Sequence, residues 1–170
     1  AHFSCSGQPQ SNVQLGRNNS LAVVGENHPS DHAFSPFLPS SWASATWAKG
    51  AHFNNSALEI GVYAPHASHV LLEIYDAPHG RDARHDYWMA KGSDGVWRAK
   101  LADVPEHTYY AFRAWGPNWP YDASWTRGNS GAGFIADVDA DGNRFNPNKV
   151  LYDPYAYELT HDPVSQPMLD

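Results

Sequence analysis

The sequence predicts an all-β fold: an immunoglobulin-like (early-set) β-sandwich with a long irregular N-terminal arm and a long loop inserted after the last strand. Three observations lead there. Apolar residues alternate with period two from about residue 57 onward. Turn residues break those runs about every 8 to 12 residues, the spacing of sandwich strands. The composition agrees, because 13 Gly, 13 Pro and 14% aromatic residues favour short strands joined by turns.

Residues 1 to 50 carry no sustained period. "GQPQSNVQLGRNNS" is polar and "HPSDHAFSPFLPSSWASATW" is rich in Pro and Ser, so an extended or partly disordered arm is expected. Phe34, Phe37, Trp42 and Trp47 can pin its second half to a surface. The sandwich is expected over 51 to 163. In "ALEIGVYAP", Leu58, Ile60 and Val62 share one face and Pro65 ends the run. In "HVLLEIYD", Val70, Leu72 and Ile74 share a face, with Leu71 and Tyr75 opposite, so this strand is expected to be covered on both sides. "YWMAK", the turn "GSDG" and "VWRAKL" read as a hairpin. "YYAFRAWG" sets Tyr110, Phe112 and Ala114 against Tyr109, Ala111, Arg113 and Trp115. After Gly116 the chain is loop-like to Lys149, too long an irregular segment to lack a functional or interface reason.

Composition excludes several functions. The net charge of −7 and the lack of a basic stripe argue against nucleic-acid binding. No apolar run is long enough to span a membrane. Cys5 is the only cysteine, so no internal disulfide is possible. His66 and His69 lack a third ligand nearby, so zinc is not expected. Asn18 and Asn54 open glycosylation sequons, which matter only on a eukaryotic secretory route. Carboxylates abound, but no motif marks the acid and nucleophile pair that a glycosidase needs.

Three stretches are more specific: "YYAFRAWGPNWPY" (109–121), "GFIADVDADGNRFNPNKVLYDPYA" (133–156) and "THDP" (160–163). They closely resemble the N-terminal domain of bacterial secreted isoamylases, the debranching members of glycoside hydrolase family 13. The chain keeps Arg113, Gly116, Pro117, Arg144 to Lys149 and Asp153 to Ala156 of that pattern, and departs at Phe112, Tyr152 and Tyr157. The resemblance covers about 57 to 163 and not the arm. It implies a sandwich of the family-48 carbohydrate-binding type that precedes a catalytic (β/α)8 barrel. The chain is therefore expected to be non-catalytic by itself, to be secreted or periplasmic, and to have its own barrel and branched α-glucan (glycogen, amylopectin) as partners. Residues 164–170 would begin the linker to that barrel. "PMLD" is an abrupt end, which suggests a protein that continues past Asp170. Two other readings stand beside this one: a free-standing secreted starch- or glycogen-binding protein, and an interaction domain acting through its arm.

Candidate site residues follow. Trp115, Trp119, Tyr121 and Trp125 could stack on glucose rings, with Asn118, Asp122 and Arg127 bonding hydroxyls, or could fill the interface with the barrel. Arg113, Arg144, Asn146 and Asp153 are expected to form a hydrogen-bonded cluster that fixes the loop. In "DVDADGNRFNPNK", Asp137, Asp139, Asp141 and Gly142 match the first half of an EF-hand loop. The twelfth position is Asn148, where a bidentate Glu is required, so a turn built on Asp-Gly is the better expectation. No cofactor is expected in this chain alone. The resemblance implies that Asp162 contributes to a calcium site completed by the barrel.

Overall fold

The computed structural model describes residues 3–4, 41–55, 57–77, 83–105, 108–156 and 158–159. Most of the arm, including Phe34 and Phe37, lies outside the described residues, as do Asp162 and the 164–170 segment.

Among the described residues, nine strands form two antiparallel sheets: β1 (Phe3–Ser4), β2 (Gly50–Asn54), β3 (Ala57–Tyr63), β4 (His69–Tyr75), β5 (His85–Trp88), β6 (Ala90–Lys91), β7 (Val96–Ala102), β8 (Tyr109–Trp115) and β9 (Glu158–Leu159). One sheet runs β5-β4-β8-β1-β9 and the other β2-β3-β7-β6. This is the expected immunoglobulin-like sandwich. The alternating residues face as their period requires. Leu58, Ile60, Val70, Leu72, Ile74, Trp97, Leu101, Tyr110 and Phe112 are buried together between the sheets. Each such side chain contributes about 1.5–3 kcal/mol by leaving water.

Several features depart from the linear reading. The arm does not stop at the sandwich: Trp42 is buried in the central core, and Trp47 packs against it while donating from Nε1 to the Ile60 carbonyl at 3.1 Å. Strand β2, which the period did not reveal, pairs Gly50 with Gly61 and Asn54 with Ala57. "YWMAK" is not one strand of one hairpin. Tyr87 and Trp88 pair with β4, whereas Ala90 and Lys91 pair with β7. The chain changes sheets at Met89, whose N–H donates to the Val70 carbonyl at 3.0 Å. The hairpin survives in its second half, where the Asp94 carboxylate accepts from Val96 N and from both terminal nitrogens of Arg98. The long loop follows β8 but is not the end of the sheet, because β9 returns to pair with β1.

The segment after the loop seals one side of the sandwich. Leu151 and Phe112 exchange both backbone hydrogen bonds at 2.8 Å, which continues the edge of β8. Asp153 is buried, accepts from the Tyr110 hydroxyl at 2.8 Å, and holds the turn through Tyr155 N at 2.8 Å. The Cβ of Tyr155 then comes up against Gly50 at the start of β2.

Candidate functional site

Strand β8 determines what lies on the second face of its sheet. Its odd-numbered positions, Ala111, Arg113 and Trp115, turn away from the core, beside Leu71 and Glu73 of β4 and Asp86 and Trp88 of β5. That face would be left wet in a plain sandwich. Here the loop over 116–150 folds back across it and buries a second, smaller core of Leu71, Trp115, Trp119 and Trp125.

The loop can lie so close because position 116 is Gly. A Cβ there would meet the Phe145 ring at 2.1 Å. Asn118 organises the interior of the loop. Its amide nitrogen donates to the Ala136 carbonyl at 3.0 Å and to the Phe145 carbonyl at 2.9 Å, while its oxygen accepts from Phe145 N at 2.8 Å. The indole N–H of Trp119 donates to the Ala132 carbonyl at 2.8 Å and that of Trp125 to Asn148 Oδ1 at 3.2 Å. These bonds satisfy a loop that secondary structure cannot serve.

Four charges meet between the loop and the sheet. Glu73 and Asp86 are fully buried. Glu73 Oε1 accepts from Arg113 Nε at 2.7 Å and from Arg127 Nε at 2.9 Å, and Oε2 from the Tyr75 hydroxyl at 2.6 Å. Arg127 also reaches Asp86, and Arg113 donates to the Pro147 carbonyl at 2.9 Å. Two carboxylates thus face two guanidinium groups, so the buried set is neutral overall. Burial, then the Glu73 charge, pushes the Tyr75 hydroxyl far above its ordinary value. Burial works against the Arg127 charge, but Asp86 and Glu73 outweigh it and hold that guanidinium charged.

The four aromatic candidates separate. Trp115, Trp119 and Trp125 are 0%, 7% and 3% exposed, their faces taken by protein. Tyr121 alone of the four stays half-buried at the rim of the loop. There it forms an aromatic set with Trp88 at 5.2 Å and His69 at 5.0 Å, and both of those also reach solvent. Burial lowers the His69 pKa and so favours the uncharged ring, which adds an aromatic face. The three polar neighbours are committed elsewhere: Asn118 inside the loop, Arg127 to the buried charges, and Asp122 to Ser124 N at 2.8 Å. The expected loop-fixing cluster is likewise dispersed. Arg113 lies under the loop and Asp153 on the core side of β8 with Tyr110. Asn146 caps the next turn through Asn148 N at 3.0 Å. Arg144 is exposed.

The Asp-rich stretch forms the expected turn, although no strands flank it. Gly142 has φ of 83°, and Asp139 accepts from Asp141 N and Asn143 N, both at 2.9 Å, and from Asn143 Nδ2 at 2.8 Å. The Asn143 side-chain bond holds the Asp139 carboxyl below its ordinary range. Both of its oxygens thus accept hydrogen bonds within the turn. Among the described residues no group of three His, Cys, Asp or Glu is placed to hold a metal.

Sequence reasoning missed Glu73, Asp86 and Trp88 as site residues. A charged Glu inside the apolar run "HVLLEIYD" was the available signal, since an acidic residue at a covered position needs a cation above it.

Comparison with known proteins agrees with this architecture. The family model of carbohydrate-binding module 48 (isoamylase N-terminal domain) matches residues 48–156, from just before β2 to the sealing turn at Asp153. The chain belongs to that family. An isoamylase of Pseudomonas amyloderamosa is 40% identical over 139 residues, which is 76% of this chain and 18% of that protein. An isoamylase of a Flavobacterium species is 44% identical over 115 residues, 62% of this chain and 15% of that one. The chain thus spans less than a fifth of these relatives. Among solved structures, a pullulanase mutant of Paenibacillus barengoltzii complexed with maltotetraose is similar at 19% identity and a TM-score of 0.37, over 43% of this chain and 11% of that one. The pullulanase from Bacillus acidopullulyticus is similar at 24% identity and 0.36, over 45% and 9%.

Proposed function

We propose that the chain is the non-catalytic front module of an isoamylase-type enzyme that debranches α-1,6-linked glucan, and that it supports the catalytic barrel and engages glycogen or amylopectin. The observation that carries this reading is the family match, which takes in both the sandwich and the loop that covers it. Within the module, the rim of Tyr121, Trp88 and His69 is the surface suited to sugar. Flat aromatic rings stack on the C–H faces of glucose, and this rim presents three of them together at solvent. Trp115, Trp119 and Trp125 support the rim from below. Secretion, to the medium or the periplasm, belongs to the same reading. Calcium belongs to the longer protein, with Asp162 among its ligands.

Affinity electrophoresis in gels with and without amylopectin tests the assignment. The purified chain should be retarded by the glucan and should release no reducing ends from it. Tyr121→Ala should remove most of the retardation while the circular dichroism spectrum is unchanged. Unaltered retardation in that variant removes the rim from the account, and reproducible debranching by the chain alone ends the non-catalytic reading.

A further inference from the structure

Nine of the eleven Lys and Arg residues lie among those described. Six are held by oxygen acceptors: Arg84 by Asp76, Lys91 by two carbonyls, Arg98 by Asp94, Lys100 by Glu59, and Arg113 and Arg127 by the buried carboxylates. Lys49 lies over the Tyr155 ring at 4.7 Å. Arg144 and Lys149 remain, and among the described residues neither has an acceptor or an aromatic partner. Both line the same groove, of about 460 Å³, between the β3–β4 connection and the loop.

The walls of that groove narrow the choice of ligand. Pro65, Phe145 and Leu151 supply apolar surface. His66 is oriented by Asn143, whose side-chain oxygen meets Nδ1 at 2.9 Å. A chain of net charge −7 therefore keeps two unneutralised cations beside an apolar wall. Guanidinium takes a phosphate in a two-point fork and ammonium adds a point charge. An apolar wall matches the C–H face of a hexose. We propose that this groove binds a phosphate monoester carried on a glucosyl residue of the α-glucan. This inference rests on the glucan-binding reading, and the groove is separate from the aromatic rim.

Titration of ¹⁵N-labelled chain, followed through the backbone amides, tests it with three probes: maltohexaose, the same oligosaccharide bearing a 6-phosphate, and inorganic phosphate. The phosphorylated sugar should shift the amides of His66, Arg144, Lys149 and Leu151. Its affinity should fall at least tenfold in the Arg144→Ala/Lys149→Ala double variant, whose exposed side chains can be removed without disturbing the core, and should weaken with salt. Equal groove shifts from neutral maltohexaose overturn the phosphate assignment. Equally strong binding of inorganic phosphate overturns the sugar part. If maltohexaose shifts only the Trp88 and Tyr121 region and the phosphorylated sugar leaves the groove silent, this proposal falls and the glucan reading stands. Silence toward both sugars ends both.

Discussion

Replacing Arg127 with Ala tests how the loop is held to the sheet. The side chain is 11% exposed, and the carboxylates of Glu73 and Asp86 beneath it are at 0%. Removing one member of a buried ion pair costs about 3–5 kcal/mol, because the remaining charge is left without its partner. Arg113 stays 2.7 Å from Glu73, so the unpaired burden falls mainly on Asp86, and the lower end, about 3 kcal/mol, applies. For a chain of this size one kcal/mol moves Tm by about 2–4 °C, which gives a fall of about 6–12 °C. Thermal unfolding by circular dichroism measures it. Tryptophan emission should shift to the red ahead of the main transition, because Trp115 lies under the part of the loop that is released and Trp125 is carried off with it. A companion variant, Arg127→Met with Asp86→Leu, should recover much of the loss, since apolar replacement of the whole pair removes the stranded charge. A loss below about 1 kcal/mol for Arg127→Ala is the level of a surface ion pair and would refute the clasp.

Two further perturbations probe other points of the same structure. Gly116→Ala sets a methyl 2.1 Å from the Phe145 ring, so it should destabilise by at least about 1–3 kcal/mol and loosen the loop, measured by urea unfolding; an unchanged midpoint would mean that the loop is not seated on β8. The Arg98 hydrogen bond holds the Asp94 carboxyl at about 2, below the ordinary 3.8. Its contribution is therefore complete above about 3.8 and is lost as pH falls toward about 2. A carbon-detected NMR titration should place the Asp94 midpoint near 2, and Arg98→Lys should raise it; a midpoint in the ordinary range removes the pairing.

How much could be read from the chain depended on the range of the interaction involved. The faces of β3, β4, β7 and β8 followed from alternation, which is local. So did the turn at Asp139, whose acceptors and donors lie within four residues. The sheet change at Met89 was hidden, because "YWMAK" shows one apolar run whichever sheet each half joins. Strand β2 was hidden as well. Its buried residues, Gly50 and Ala51, are too small to write a hydrophobic period. Arg113, Arg144, Asn146 and Asp153 looked like one cluster because they fall in one motif, yet β8 turns Arg113 and Tyr110 to opposite faces and separates Arg113 from Asp153.

By itself the sequence determined the class of fold, the strands that build its centre, and the family, because strand periods and short motifs are properties of neighbouring residues. It also placed Leu71 and Tyr75 on a face that would be covered. What covered that face was decided only in three dimensions. Glu73 meets Arg127 across 54 residues, and Asn118 meets Phe145 across 27. Those contacts turned three tryptophans that read as a stacking or barrel-interface surface into a second core. The physical reason is that an aromatic ring suits sugar and protein equally well. Only the path of the loop decides which of the two it touches.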